Sequence, residues 1–368
     1  MTKTIAFCTD AKIFQQNRIL DEKIVADYPG ALWVTKLAGF AKVRGIEVVT
    51  GDIAISNICA KNWKPSDIMV IQEESSSHGF ELIRLGAFPF VLYCAESPLY
   101  ARNFYTHLPR ISALFQNRIL FRGSFERASS DGMNHVLHFP SFSLESEEGT
   151  VSWSQRKFLV MVAANKYWKI KRAIHRQLLA WIRDTVMGRK SYITPETIDQ
   201  QLHDRRLALI EYFGREGSLD LFGSNWGDIS NLPKRWKGRL QEIIDDLKPE
   251  VCPNKQKVIA NYKFAICFEN MSYPGYVTEK IIDCFRAGVI PVYLGAPDIS
   301  DFVPKEAFID LRGFGDLDGL HGHLSSITED IASEMIDAGR SFLMSKSGMN
   351  YSYEIFAKNV INMIREYQ

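Results

Sequence analysis

The chain has 368 residues, 46% of them hydrophobic, and a formal net charge of +1 at pH 7. That length and apolar content suit two hydrophobic cores, and the charge balance excludes a nucleic-acid-binding tail and a strongly acidic partner. The six cysteines (Cys8, Cys59, Cys94, Cys252, Cys267 and Cys284) show no CxxC spacing, and several lie in apolar runs, as reduced, buried thiols of a reducing compartment do.

The opening "MTKTIAFCTD" predicts a strand, because its apolar stretch is too short for a signal peptide. No apolar run reaches the roughly 18–20 residues of a membrane span. The expectation is a soluble, cytoplasmic α/β protein, with peripheral contact at the inner face of a membrane left open. Strand patterns occur at "KTIAFC", "IEVVTG", "DIMVIQ" and "FPFVLYC", with helical patterns between them such as "ALWVTKLAGFAKVRG". The polar, unpatterned "LESEEGTVSWSQR" at 144–156 marks a domain boundary. A second series follows: "KFLVMVAA", a helix near 169–184, "LDLFGS", a helix near 233–247, "KFAICFE", a helix from about 278, and "VIPVYLG". The last forty residues have helical patterns. Such alternation predicts βαβ units with parallel sheets. The expected domains are two Rossmann-like ones, 1–150 and 151–345, with a C-terminal helix at 346–368.

In open α/β sheets, ligands sit beyond the carboxyl ends of the strands, so three strand-to-helix loops matter. In "FENMSYPGYVTEK", Thr278 can cap a helix whose first amides, of Glu279, Lys280 and Ile281, form an anion site. Lys280 at that end costs a few tenths of a kcal/mol unless an anion is near. Asn270, Tyr276 and Glu279 suit sugar hydroxyls. The alternative is an ordinary capped turn with a solvated Glu–Lys pair. In "VAANKYWKIKRAIHRQLLAWI", Lys169, Lys171 and Arg172 are expected in the first helical turn, again cations at the wrong end of a dipole. Two such junctions suggest one shared diphosphate, and the planar fork of Arg172 is the better clamp; a basic solvated face is the plainer account.

The third loop, "YCAESPLY", places Glu96 directly after a buried strand, where a carboxylate can act as general base or merely cap a turn before Pro98. Glu73 and Glu74, after another strand, are rivals. No GxGxxG follows the first strand and no GxxxxGK[ST] occurs, which weakens a dehydrogenase or P-loop function. His135 with His138, and His321 with His323, lack a third ligand at sensible spacing and are expected to be structural. Asp316-Leu317-Asp318 lies in a glycine-rich stretch and is expected to be a solvated turn.

The run "FAICFENMSYPGYVTEKIIDCFRAGVIPVYLGAPDISDFVPKEAFIDL" resembles the donor-binding signature of the α1,3/4-fucosyltransferases, glycosyltransferase family 10. "YKF" before it, "LDLFG" upstream, and "ESP" at Glu96 support the resemblance. It implies a GT-B fold, two Rossmann-like domains facing a central cleft, and inverting transfer from GDP-β-L-fucose that needs no cofactor or divalent metal. Carried over, Glu96 is the base on the acceptor hydroxyl, and Arg172 and Lys280 hold the diphosphate. Asn270, Tyr276 and Glu279 contact ribose or fucose, Glu279 also stabilising oxocarbenium character, and Asn165 joins the donor contacts. The implied acceptor is a glycan, with α1,3 linkage to GlcNAc or Glc in a lipopolysaccharide-type structure. A bacterial-type soluble member is expected, without the N-terminal anchor of animal members or the heptad repeats and basic tail of some bacterial ones, and the first half matches the family only around Glu96. Transfer of another GDP-6-deoxyhexose such as GDP-colitose, or non-catalytic sugar-nucleotide binding, are the alternatives.

Overall fold

The computed structural model describes residues 4–144, 151–188, 194–252 and 254–364. Residues 145–150 of the expected boundary, and the terminal residues 1–3 and 365–368, lie outside these. The chain divides into two compact units, one of Met1–Glu145 with Met349–Gln368, the other of Ser146–Gly348.

The first unit holds β1 (Thr4–Cys8), β2 (Glu47–Thr50), β3 (Ile68–Glu73), β4 (Phe88–Tyr93), β5 (Asn117–Leu120) and β6 (Met133–Val136). They form a parallel sheet in the order β2-β1-β3-β4-β5-β6. The five residues of β1 are all buried, as expected of a central parallel strand covered on both faces. Helix α1 (Leu32–Val43) places Trp33 edge-on to Phe7 and Tyr93, with ring centroids 5.7 and 5.5 Å apart.

The second unit holds β7 (Lys157–Val162), β8 (Leu219–Phe222), β9 (Tyr262–Phe268), β10 (Ile290–Leu294) and β11 (Ile309–Asp310), parallel in the order β11-β10-β9-β7-β8. Its helices include α2 (Tyr167–Val186) and α3 (His203–Arg215) between β7 and β8, α4 (Lys234–Leu247) before β9, α5 (Glu279–Arg286) after it, and α6 (Leu317–Ser326). The expected helices near 169–184, 233–247 and 278 correspond to α2, α4 and α5. α3 is an addition: Leu207, Ile210 and Phe213 recur every third residue and are buried in the core with Leu219, Phe264 and Val292.

The chain then returns to the first unit with α7 (Tyr353–Met363). Phe356 packs 4.9 Å from Trp33, and Tyr353 donates its hydroxyl to the Ser141 carbonyl at 2.9 Å. The expected C-terminal helix is thus part of the first domain's core. The six cysteines are all free, and Cys8, Cys94, Cys267 and Cys284 are buried. No described helix is long and apolar enough to cross a membrane.

Candidate functional site

In the second sheet the chain runs from β7 outward to β8, then crosses back to β9 and continues to β10 and β11. The order therefore reverses between β7 and β9, and the ends of these two strands are where a ligand is expected. The loop after β7 is held closely by the one after β8. Gly223 has φ +140°, and a Cβ there would stand 2.2 Å from the Ala163 carbonyl oxygen, so only glycine fits. Asn165 is buried, donates its amide to Ser224 and accepts from the Tyr167 amide at 3.2 Å, which starts α2. The cation at the start of this helix is therefore Lys166. Arg172, expected in the first turn, sits in the second and is exposed; the side chains of Lys169 and Lys171 lie outside the described residues.

The loop after β9 answers the question of which anion Lys280 meets. Glu269, fully buried at the strand's end, accepts from the Thr278 amide at 2.8 Å, from the Thr278 hydroxyl, and from Lys280 Nζ at 3.1 Å. Lys280 also lies 3.2 Å from Glu279 Oε1. Lys280 thus has an anion within the chain, and its place at a helix start does not by itself require a ligand. Burial pulls the Lys280 pKa down, but Glu269 and Glu279 more than reverse this, so it stays charged. Burial raises Glu279, yet Lys280 and Lys255 outweigh it and hold the carboxyl at about 2, so Glu279 is an anion at working pH. Gly295 makes room for this arrangement, since a Cβ there would be 2.6 Å from Glu269 Cγ.

Asn270 and Tyr276 meet beside it: Asn270 Nδ2 donates to the Tyr276 hydroxyl at 3.3 Å, and Tyr276 is buried. The residue that ties these loops together is one that sequence reasoning missed. Arg206, from α3, donates to the carbonyls of Phe268 and Glu269 at 2.5 and 2.8 Å and to Asn270 Oδ1 at 3.3 Å. His203, one turn earlier, lies 3.4 Å from Arg206. Burial, then Arg206, Lys166 and Lys280, push its pKa down to about 2. His203 is thus a neutral imidazole beside Arg206 at the β7–β9 junction, with Lys166 and Lys280 adding to the field that keeps it so.

The first unit also has a reversal, between β1 and β3. Asp10, just after β1, accepts from the Ser77 amide and hydroxyl at 2.9 and 2.8 Å. Glu73 ends β3, and Glu74 follows it at φ +50°. Glu96 lies exposed beyond β4, its backbone carbonyl accepting from the Tyr105 hydroxyl at 3.0 Å. Burial, then Glu73, Glu96 and Asp10, push Glu74 up to about 8. Glu73 is raised by burial, against a hydrogen bond from Thr9. Four carboxylates thus act on one another here. Glu74 binds its proton more tightly folded than unfolded, so its contribution is fully present below the ordinary value of 4.5 and is lost as pH rises through about 8. Glu74→Gln is expected to flatten the fall of Tm across that window and to raise Tm at pH 8, which thermal melts from pH 4.5 to 9 would check.

The histidines of both pairs make contacts within the fold. His135 bonds Asn117 at 3.1 Å, His138 packs on Tyr351, and His321 packs on Phe158 and Phe213. Asp316 caps α6 by accepting from the Gly319 amide at 2.8 Å, and Asp318 accepts from the Tyr212 hydroxyl. Among the described residues no three His, Cys, Asp or Glu side chains form a metal-binding group.

Residues 202–334 match the model of glycosyltransferase family 10 (fucosyltransferase), C-terminal part. This segment is a family 10 domain. The family 10 match begins at the start of α3, so Arg206 lies inside it, whereas Arg172 does not. The chain is 46% identical over 66 residues to the α-(1,3)-fucosyltransferase FucT of Helicobacter pylori, covering 18% of this chain and 14% of that protein. It is 35% identical over 72 residues to an α-(1,4)-fucosyltransferase of Arabidopsis thaliana, covering 20% of this chain and 18% of that one. These alignments span under a fifth of the length of either relative. The crystal structure of an α1,3-fucosyltransferase with GDP-fucose superposes with a TM-score of 0.51 at 16% identity, covering 99% of this chain and 89% of that one. The fold is thus GT-B-like, with two parallel α/β sheets.

Proposed function

We propose that this chain transfers L-fucose from GDP-β-L-fucose to a hydroxyl of a glycan acceptor, with inversion and without a metal. The observation that carries the proposal is the family 10 match over residues 202–334, within which Arg206 is hydrogen-bonded to Glu269 and Asn270 of the loop that also holds Lys280. A leaving GDP gains negative charge on its diphosphate as the glycosidic bond breaks, and fixed cations beside a helix start stabilise that charge. Arg206 and Lys280 hold the diphosphate in this scheme, and Arg206 takes the clamp role first considered for the exposed Arg172. Asn165 orients the start of α2, and Asn270 and Tyr276 contact ribose or fucose. Glu279, ionised throughout the working range, stabilises positive charge developing at the anomeric carbon.

Glu96 is the proposed base. It takes the acceptor hydroxyl's proton as that oxygen forms its bond to the anomeric carbon, while the bond to GDP breaks on the opposite face. The two relatives differ in linkage, α-(1,3) and α-(1,4). For the linkage we favour α1,3, that of the H. pylori relative, which gives the higher identity; the acceptor we propose with it is GlcNAc or Glc of a lipopolysaccharide-type glycan, and the compartment the cytoplasm. Incubation with a panel of GDP-sugars and β-galactosyl-GlcNAc acceptors, with and without EDTA, tests this. Fucose transfer undiminished by EDTA is expected. Turnover with GDP-mannose or GDP-colitose alone would overturn the donor, and loss of all transfer in EDTA would overturn the metal-free mechanism.

A further inference from the structure

We propose that α2 is a membrane-docking helix, which lies along an anionic phospholipid surface. Among its described residues, Ala180 and Asp184 are buried and Ile174 and Trp181 partly buried, whereas Leu178, Leu179, Ile182 and Val186 are 40%, 54%, 45% and 81% exposed. Leu178, Ile182 and Val186 fall at i, i+4 and i+8, with Leu179 beside them, so they form one outward stripe. A helix that only served the core would turn these residues inward.

The charge beside the stripe selects the partner. Arg172 and Arg176 are one turn apart, and Arg183 falls on the same edge two turns beyond Arg176, next to Leu179. All three are exposed, and Asp184, which pairs with Arg183 at 2.9 Å, is the lone carboxylate of the helix and is buried. An apolar stripe edged by arginines is the pattern of helices lying in the interfacial plane of a bilayer. Each cation near an anionic leaflet strengthens binding, and salt screens that attraction. A second copy of this chain would bring an equally basic helix to the contact and leave that charge unanswered. The helix is 20 residues long, about 30 Å, and follows directly after Asn165 and Lys166. Docking would therefore hold the β7 loop at the membrane surface.

The test is co-sedimentation with vesicles of phosphatidylglycerol and phosphatidylcholine, against phosphatidylcholine alone, at low and high salt. Binding only to the anionic vesicles, weakened by salt, is expected. Ile182→Ser with Val186→Ser, and separately Arg176→Glu, should each lower the bound fraction at least tenfold at matched lipid, with unchanged melting curves and GDP affinity. No binding at low salt, or equal binding by the variants, would overturn the proposal. So would a wild-type dimer in light scattering that the serine variant makes monomeric while vesicles capture neither, which would assign the stripe to a second copy.

Discussion

Glu96→Gln should lower fucose transfer by roughly 10²–10⁴-fold, the usual contribution of a positioned general base, while GDP affinity stays the same. The glutamine keeps the shape and polarity of the side chain but cannot accept the proton of the attacking hydroxyl. Because Glu96 belongs to the first unit and the cations of the donor loops to the second, the substitution should act on transfer alone. The position suits a base in two ways. It follows the C-terminal end of β4, beside the β1–β3 reversal, and its charge is one of the causes that hold Glu74 protonated to about pH 8. Glu74 is therefore mostly neutral at pH 7, which leaves the more accessible Glu96 to take the proton. Initial rates and GDP titrations of the purified variant would check both halves of the expectation. Near-wild-type rates would move the base to Glu73 or Glu74.

Much of the fold was legible because parallel strands are buried on both faces and so appear as continuous apolar runs. "KTIAFC", "DIMVIQ", "FPFVLYC", "KFLVMVAA" and "KFAICFE" all became central strands. The donor loop was legible because a strand, a proline-glycine turn and a capped helix leave a dense local pattern, and here that pattern coincided with a family signature. What the sequence hid were partners distant along the chain. Lys280 looked like a cation in want of an anion, but the buried Glu269, eleven residues earlier, meets it once the loop folds back. Arg172 looked like a first-turn clamp because the start of α2 was placed two residues late. Arg206 escaped because it comes from a helix that precedes β8, not from a loop that follows a strand. The signal that could have found it was the Leu207, Ile210, Phe213 periodicity, which turns one face of α3 to the core and so brings Arg206 to the end of β9. The C-terminal helix was visible as a helix, but nothing in its sequence said that Phe356 would complete the aromatic cluster around Trp33.

The second large effect is expected at Arg206. Its guanidinium already fixes the Phe268 and Glu269 carbonyls and Asn270, and in the proposed complex it also faces the diphosphate. Truncating one partner of a buried, hydrogen-bonded charge pair costs about 2–5 kcal/mol, which corresponds to at least about 30-fold in affinity. Part of that loss would come from the loop, so Arg206→Lys serves as a companion: it keeps the charge but not the fork, and should fall between the two. Arg172→Ala, on the exposed second turn of α2, should change GDP affinity little.

The most direct test of the account is a calorimetric titration of GDP into the wild-type protein and into Arg206→Ala, with melting curves confirming that both are folded. The account predicts that the wild-type protein binds GDP and that the variant binds it at least about 30-fold more weakly. Equal affinity in the two proteins, or no GDP binding by the wild type, would contradict a donor site at the β7–β9 junction.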